Sequence, residues 1–206
     1  EVQMGACISY SKLEGYEEKP TIFFEFHGTK TGAKEQAETV QAIAEEFGGS
    51  AFQWTSKMED RNKLWQARHD AYYAAIALRS GCQGWATDVC VPVSRLAECI
   101  NETKDDLEET GLISPLVGHV GDGNFHMLYI VDPNNQEEMA KAQAHSDRMV
   151  LRALEMGGTC TGEHGVGYGK IHFLTNEHGD AMSLMRSLKT AFDPDNIMNP
   201  GKIVNI

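Results

Sequence analysis

The run GHVGDGNFH at residues 118–126, lying between PLVGHV and FHMLYIV, constrains this chain most, because it dictates an antiparallel hairpin. Asp-Gly is a favoured centre for a two-residue turn, and the residues that follow it are apolar and β-forming. With Asp122 and Gly123 at the centre, Gly121 faces Asn124, Val120 faces Phe125 and His119 faces His126. Directly opposed residues point to one side of a sheet with Cβ atoms about 5 Å apart. Two imidazoles that close can share one divalent metal, provided that a third ligand arrives from elsewhere. The same pair also reads as two strand histidines making ordinary hydrogen bonds.

A second glycine-rich window, GGTCTGEHGVGYG at 157–169, supplies a candidate third ligand; together the two windows hold nine of the 20 glycines. Glu163 and His164 stand side by side among Gly162, Gly165 and Gly167, where the backbone can bend sharply and a flat ligand can approach closely. One of the two can bind metal while its neighbour handles a proton, for which a neutral His is suited near pH 7. A flexible surface turn is the bland alternative. Arg68 is the third element, an always-charged guanidinium placed by helical spacing among Leu64, Ala71, Ala75 and Leu78. If buried it needs an anion. A substrate carboxylate, a structural Asp such as Asp88, or snorkelling to solvent would each serve. His27, His69, His145, His172 and His178 show no partner pattern and read as structural or exposed.

Around these windows, strands alternate with amphipathic helices. The run TIFFEFH (21–27) reads as a strand, followed by a helix in which Ala37, Val40, Ile43, Ala44 and Phe47 recur before Gly48 and Gly49. Ser56 with Glu59 forms a capping box that opens a helix to about Arg79. WATDVCV (85–91) reads as a strand, followed by a helix from Pro92 to near Gly111. Helices are expected over about 136–156 and 177–192, the latter ended by Asp193-Pro194. No repeat, low-complexity stretch or linker interrupts the chain, so one compact α+β domain is the default.

Composition narrows the function. With 18 Lys and Arg against 30 Asp and Glu, the net charge of −12 disfavours a nucleic acid or an anionic membrane as partner. No apolar run reaches the 18 or so residues of a membrane span, and five scattered cysteines without CxxC spacing fit a reducing compartment. The first residue is Glu rather than Met, as expected of a processed or partial chain.

The ordered runs WATDVCVPVSRL, VGHVGDGNFH, GTCTGEHGVGYGK and FDPDNIMNPGKI resemble the C-terminal domain of FAD-linked oxidases in the vanillyl-alcohol oxidase superfamily, from about FFEFHG to the end. Within it they are most similar to the cytochrome-linked D-lactate dehydrogenases, with D-2-hydroxyglutarate dehydrogenases and glycolate oxidase flavin subunits as relatives. The resemblance implies a ferredoxin-like antiparallel sheet with helices on one side, residues 1–206 forming one substrate- and metal-holding domain. It implies a divalent metal, zinc or manganese, on His119, His126 and Glu163, with His164 as base, Arg68 on the substrate carboxylate, and Asn199 at the flavin in a 193–206 tail. Ala86 and Leu128 stand where the hydroxyglutarate branch carries Lys and Asn, which favours D-lactate or a similar D-2-hydroxy monocarboxylate.

FAD itself is expected mostly on an N-terminal domain absent from these residues, supplied in cis or in trans, since no further glycine loop is left to cradle phosphate. The chain alone is therefore expected neither to retain FAD nor to turn over substrate. Cytochrome c or a similar carrier is the implied electron acceptor, and the mitochondrion the implied location. The rival expectation is a split or truncated homologue serving as a binding or structural subunit of a larger assembly.

Overall fold

The computed structural model describes residues 1–50 and 52–206, with eight α-helices and four strands among them. In order these are α1 (Val2–Ser11), α2 (Lys30–Glu46), α3 (Met58–His69), α4 (Ala71–Ile76), β1 (Gln83–Ala86), β2 (Val89–Cys90), α5 (Val93–Glu108), β3 (Leu116–His119), β4 (Asn124–Val131), α6 (Gln136–Glu155), α7 (Leu174–His178) and α8 (Ala181–Phe192). Two units divide the chain: residues 1 and 3–74 form one, residues 2 and 75–206 the other.

In the first unit, α2 occupies the expected span, with Thr29 Oγ1 accepting the Gly32 amide at 3.1 Å as its N-cap. The expected strand at 21–27 is not formed. Its backbone runs without a ladder, and Ile22 and Phe24 stay exposed, because no strand forms among the described residues of this unit to pair with it. The helix expected from Ser56 begins instead at Met58 and stops at His69. Thr55 Oγ1 takes the Lys57 amide at 3.1 Å, which moves the helix start past Ser56, so the capping box is unused. Asp70, whose carboxylate accepts from Ser11 Oγ (3.1 Å) and Gln66 Nε2 (3.0 Å), separates α3 from α4. Ala6, Cys7, Ala71 and Ala74 make a small core here.

The second unit is built on β4, whose eight residues are all buried. It runs antiparallel to every neighbour: β3 lies on one side, while β1 and β2 follow one another on the other side, pairing with 128–131 and 124–125 respectively. The α+β class and antiparallel sheet expected from the sequence are therefore what the chain forms. Alternation of side chains gives β4 two distinct faces. Phe125, Met127, Tyr129 and Val131 join one core with Leu96 and Cys99 of α5 and Ala142, Met149, Val150 and Ala153 of α6. Each such fully buried large side chain contributes roughly 1.5–3 kcal/mol. His145 of α6 is fully buried in the same layer, its Nδ1 accepting from Tyr129 Oη (2.5 Å) and its Nε2 donating to the Thr103 carbonyl (3.0 Å). That pairing accounts for it structurally, as the sequence suggested, and burial lowers its pKa. The opposite face carries Asn124, His126, Leu128 and Ile130, the last two packed with Ala75.

Three boundaries differ from expectation. The single strand at 85–91 is split into β1 and β2 at Thr87-Asp88, and the helix at 177–192 is split by Gly179 at φ 53°. The hairpin turn is longer than two residues. A 3-10 turn at Val120–Asp122 precedes Gly123 at φ 78°, so His119 pairs with Asn124, and His126 pairs with Val117. The Gly123 carbonyl accepts the Val91 amide at 3.0 Å, and a Cβ on Gly123 would lie 2.0 Å from the Val91 carbonyl, so packing against the chain after β2 selects this longer turn. The direct His119–His126 pairing read from the sequence is thus corrected by two residues. A shift of two conserves the face, because strand alternation has period two, and the histidines remain diagonal neighbours.

Candidate metal and proton-transfer site

On that second face, His119, His126 and Glu163 each present a ligating atom within 4.8 Å of the others. Glu163 Oε1 lies 3.0 Å from His126 Nε2, and Oε2 lies 3.8 Å from His119 Nε2. His164 Nε2 is 3.4 Å from Glu163 Oε1, and its ring centre is 5.1 Å from that of His126. His126 is buried, whereas His119, Glu163 and His164 are about half exposed. One buried imidazole thus lies beneath three side chains that remain open to solvent.

The hydrogen bonding of His126 constrains what the cluster can hold. Its Nδ1 is 2.8 Å from the Thr87 carbonyl, which can only accept, so Nδ1 carries the hydrogen. In the neutral ring, Nε2 then offers a lone pair toward a carboxylate oxygen 3.0 Å away. Two acceptors at that separation need a cation between them, either a proton or a metal ion. A ligating His whose other nitrogen donates to a carbonyl is the usual arrangement at a metal. The donor set of two imidazoles and a carboxylate suits zinc or manganese.

The sequence did not single out Thr87, and it offered Asp88 only as an anion for Arg68. Thr87 and Asp88 occupy the break between β1 and β2. Thr87 offers its carbonyl to His126, and its hydroxyl pairs with Met127 backbone in both directions, at 2.8 and 3.1 Å. Asp88, considered from the sequence as an anion for Arg68, has its carboxylate taken up by donors of its own unit. Oδ1 accepts from Asn124 Nδ2 at 2.7 Å, and Oδ2 accepts from the Thr161 hydroxyl (2.8 Å) and the amides of Gly162, Glu163 and His164 (2.8, 3.0 and 2.9 Å). Burial by itself would raise the Asp88 carboxyl; these hydrogen bonds outweigh it and hold the group well below the usual carboxylate range. Lys170 Nζ, 3.8 Å from Oδ2, binds the Asp88 and Cys160 carbonyls. Burial lowers its pKa, and the Asp88 charge counters part of that. The signal that could have found Asp88 is a charged residue inside an otherwise apolar strand pattern.

Arg68 lies in the first unit, half-buried near the end of α3. The helical face assigned to it is interrupted at Asp70. Asn199 lies in the irregular tail, exposed and in the left-handed region at φ 48°. Among the described residues, no helix is long and apolar enough to cross a membrane.

The sequence matches the family described as FAD linked oxidases, C-terminal domain, over residues 2–203. It is 47% identical over 207 aligned positions to a "Probable D-lactate dehydrogenase, mitochondrial" of Danio rerio, covering all of this chain and 41% of that protein. It is 42% identical to "D-lactate dehydrogenase [cytochrome], mitochondrial" of Arabidopsis thaliana, covering 99% of this chain and 36% of the relative. The Saccharomyces cerevisiae "D-lactate dehydrogenase [cytochrome] 1, mitochondrial" is 41% identical over 90% of the chain and 32% of its own length. The chain thus spans roughly a third to two fifths of the curated relatives it matches. Among solved structures, a 4-ethylphenol oxidase from Gulosibacter chungangensis in complex with isoeugenol superposes with a TM-score of 0.61, 15% identity, 86% of this chain and 37% of that one covered, a likeness of fold.

Proposed function

The chain belongs to the FAD linked oxidases, C-terminal domain family, and we propose that it is the substrate- and metal-holding part of an FAD-dependent dehydrogenase that oxidises D-lactate, or a similar D-2-hydroxy monocarboxylate, to the 2-oxo acid. The observation that carries this reading is the His126–Glu163 contact, two acceptors at 3.0 Å that require a cation, with His164 poised beside it. Three relatives over 40% identical are named D-lactate dehydrogenases.

In this reading His119, His126 and Glu163 hold a zinc or manganese ion, which when bound supplies positive charge that acidifies the substrate hydroxyl. His164 Nε2 takes the hydroxyl proton, being on the open side of the cluster where a small molecule can reach it. Arg68 fixes the carboxylate in the assembled protein, a role suited to a planar guanidinium. Asn199 belongs to the tail that meets the flavin. FAD, held mostly by a further domain, supplies the hydride acceptor for the α-carbon. Ala86 and Leu128, a register pair between β1 and β4, place an apolar step two residues from His126, where a Lys and an Asn would offer to hold a second carboxylate. This supports a monocarboxylate. The relatives' names support a cytochrome as the onward electron acceptor and the mitochondrion as the location.

The test is anaerobic mixing of the intact FAD-loaded protein with D-lactate. Bleaching of the flavin is expected with D-lactate and much less with D-2-hydroxyglutarate, and Arg68→Ala is expected to remove most of the turnover. An unbleached flavin with D-lactate overturns the substrate reading; near-normal kinetics in Arg68→Ala excludes the carboxylate clamp.

A further inference from the structure

The loop that presents Glu163 and His164 has little packing of its own, for both side chains are about half exposed. Its backbone is nevertheless drawn to a single point. Three consecutive amides, from Gly162, Glu163 and His164, converge with the Thr161 hydroxyl on Asp88 Oδ2 at 2.8–3.0 Å. Successive N–H groups curled around one oxygen form the concave nest that proteins use to bind external anions. Here the anion belongs to the protein, and the Asp88 side chain is only 2% exposed.

The other end of Asp88 grips the strand that carries His126. Oδ1 accepts from Asn124 Nδ2 at 2.7 Å and lies 3.7 Å from His126 Nδ1, while Asn124 Nδ2 also reaches the Val89 carbonyl at 2.9 Å. One carboxylate therefore ties the floor ligand's strand to the rim loop. Space confirms how close that tie is: a Cβ on Gly162 would stand 1.9 Å from Asn124 Nδ2 and 2.8 Å from Asp88 Oδ1, so only glycine fits.

We propose that Asp88 is the positioning residue of the site, setting Glu163 and His164 against His126 by acting as an internal anion for the 161–164 backbone. Asp88 is not among the three residues whose ligating atoms converge. The proposal rests on the functional reading above for what Glu163 and His164 do, though not for where they are held.

Asp88→Asn keeps the shape but removes the charge that the converging amides share. Two measurements on the intact protein test it: calorimetric titration with Mn²⁺ alone, and amide hydrogen exchange over 161–165. We expect Mn²⁺ affinity to fall by about 10- to 100-fold, the usual effect of losing a residue that orients a ligand, and exchange at Gly162, Glu163 and His164 to quicken. Val150→Ala, a core change in the same unit, is expected to lower the melting temperature with Mn²⁺ affinity intact, which separates positioning from general destabilisation. If Asp88→Asn does not fold, Thr161→Val, which removes one donor only, should give a smaller shift in the same direction. Wild-type affinity and exchange in a folded Asp88→Asn, or in Thr161→Val should the first not fold, would overturn the proposal. Should the wild type bind no Mn²⁺, the metal reading falls, and the exchange measurement alone decides the role of Asp88.

Discussion

The two faces of β4 make opposite use of one strand. On one, Phe125, Met127 and Tyr129 are at most 1% exposed and close a dry core with α5 and α6. On the other, Asn124 and His126 are also buried, yet each of their side-chain polar atoms except Asn124 Oδ1 is engaged, and His126 faces a half-exposed carboxylate. Adjacent residues thus alternate between a dry core and a polar cluster. A strand allows this because its side chains part by period two, whereas a helix face would mix the two roles.

Breaking each face separately should break different properties. The largest effect expected is from His126→Ala, which removes the buried ligand: metal measured by elemental analysis should fall to background with the fold retained, and unchanged content would remove the site assignment. Next, Phe125→Ala on the core face should cost about 3–5 kcal/mol in urea unfolding, while the folded fraction keeps its metal. Loss of metal affinity in folded Phe125→Ala would show that the faces are not independent.

The smallest effect lies away from both faces, beyond the end of β4. There Glu138 accepts from Arg79 at 2.8 and 2.9 Å and from the Asp132 amide at 3.0 Å. These bonds, Arg79's first, lower its pKa from 4.5 to about 2. A carboxylate whose folded pKa is depressed stabilises above its unfolded pKa, and that contribution is lost as pH falls through the folded value. The urea midpoint of wild type should therefore drop more between pH 4.5 and 2 than that of Glu138→Gln. Parallel pH curves for the two proteins would remove this pair from the acid response. Because the pair is partly exposed, the difference should be modest.

Much of this was legible in residue order. The helical repeats at 30–46, 93–108 and 136–155, and the hairpin itself, follow from apolar periodicity. His119, His126, Glu163 and His164 were nominated by glycine context and by their kinship to a family pattern, and the first three do converge. The pairing register was not legible, because whether Asp122-Gly123 closes a two-residue turn depends on what packs against Gly123, and that neighbour, Val91, is remote in sequence. The strand at 21–27 was misread for a related reason: its composition suits a ladder, but a strand exists only where a partner is available. Asp88 was weighed only as an anion for Arg68, because the donors that surround it come from 73 to 76 residues later in the chain.

Sequence by itself nominated the residues that the fold brings together on one face and those that alternate into a core, since both depend on residue type and short-range period. Tertiary structure alone decided that His126 turns its Nε2 toward Glu163, by donating Nδ1 to Thr87, and that a half-exposed loop meets it at 3.0 Å. Those outcomes depend on hydrogen bonds between distant segments, which no local pattern encodes, and on a buried carboxylate that only the folded chain can surround with donors.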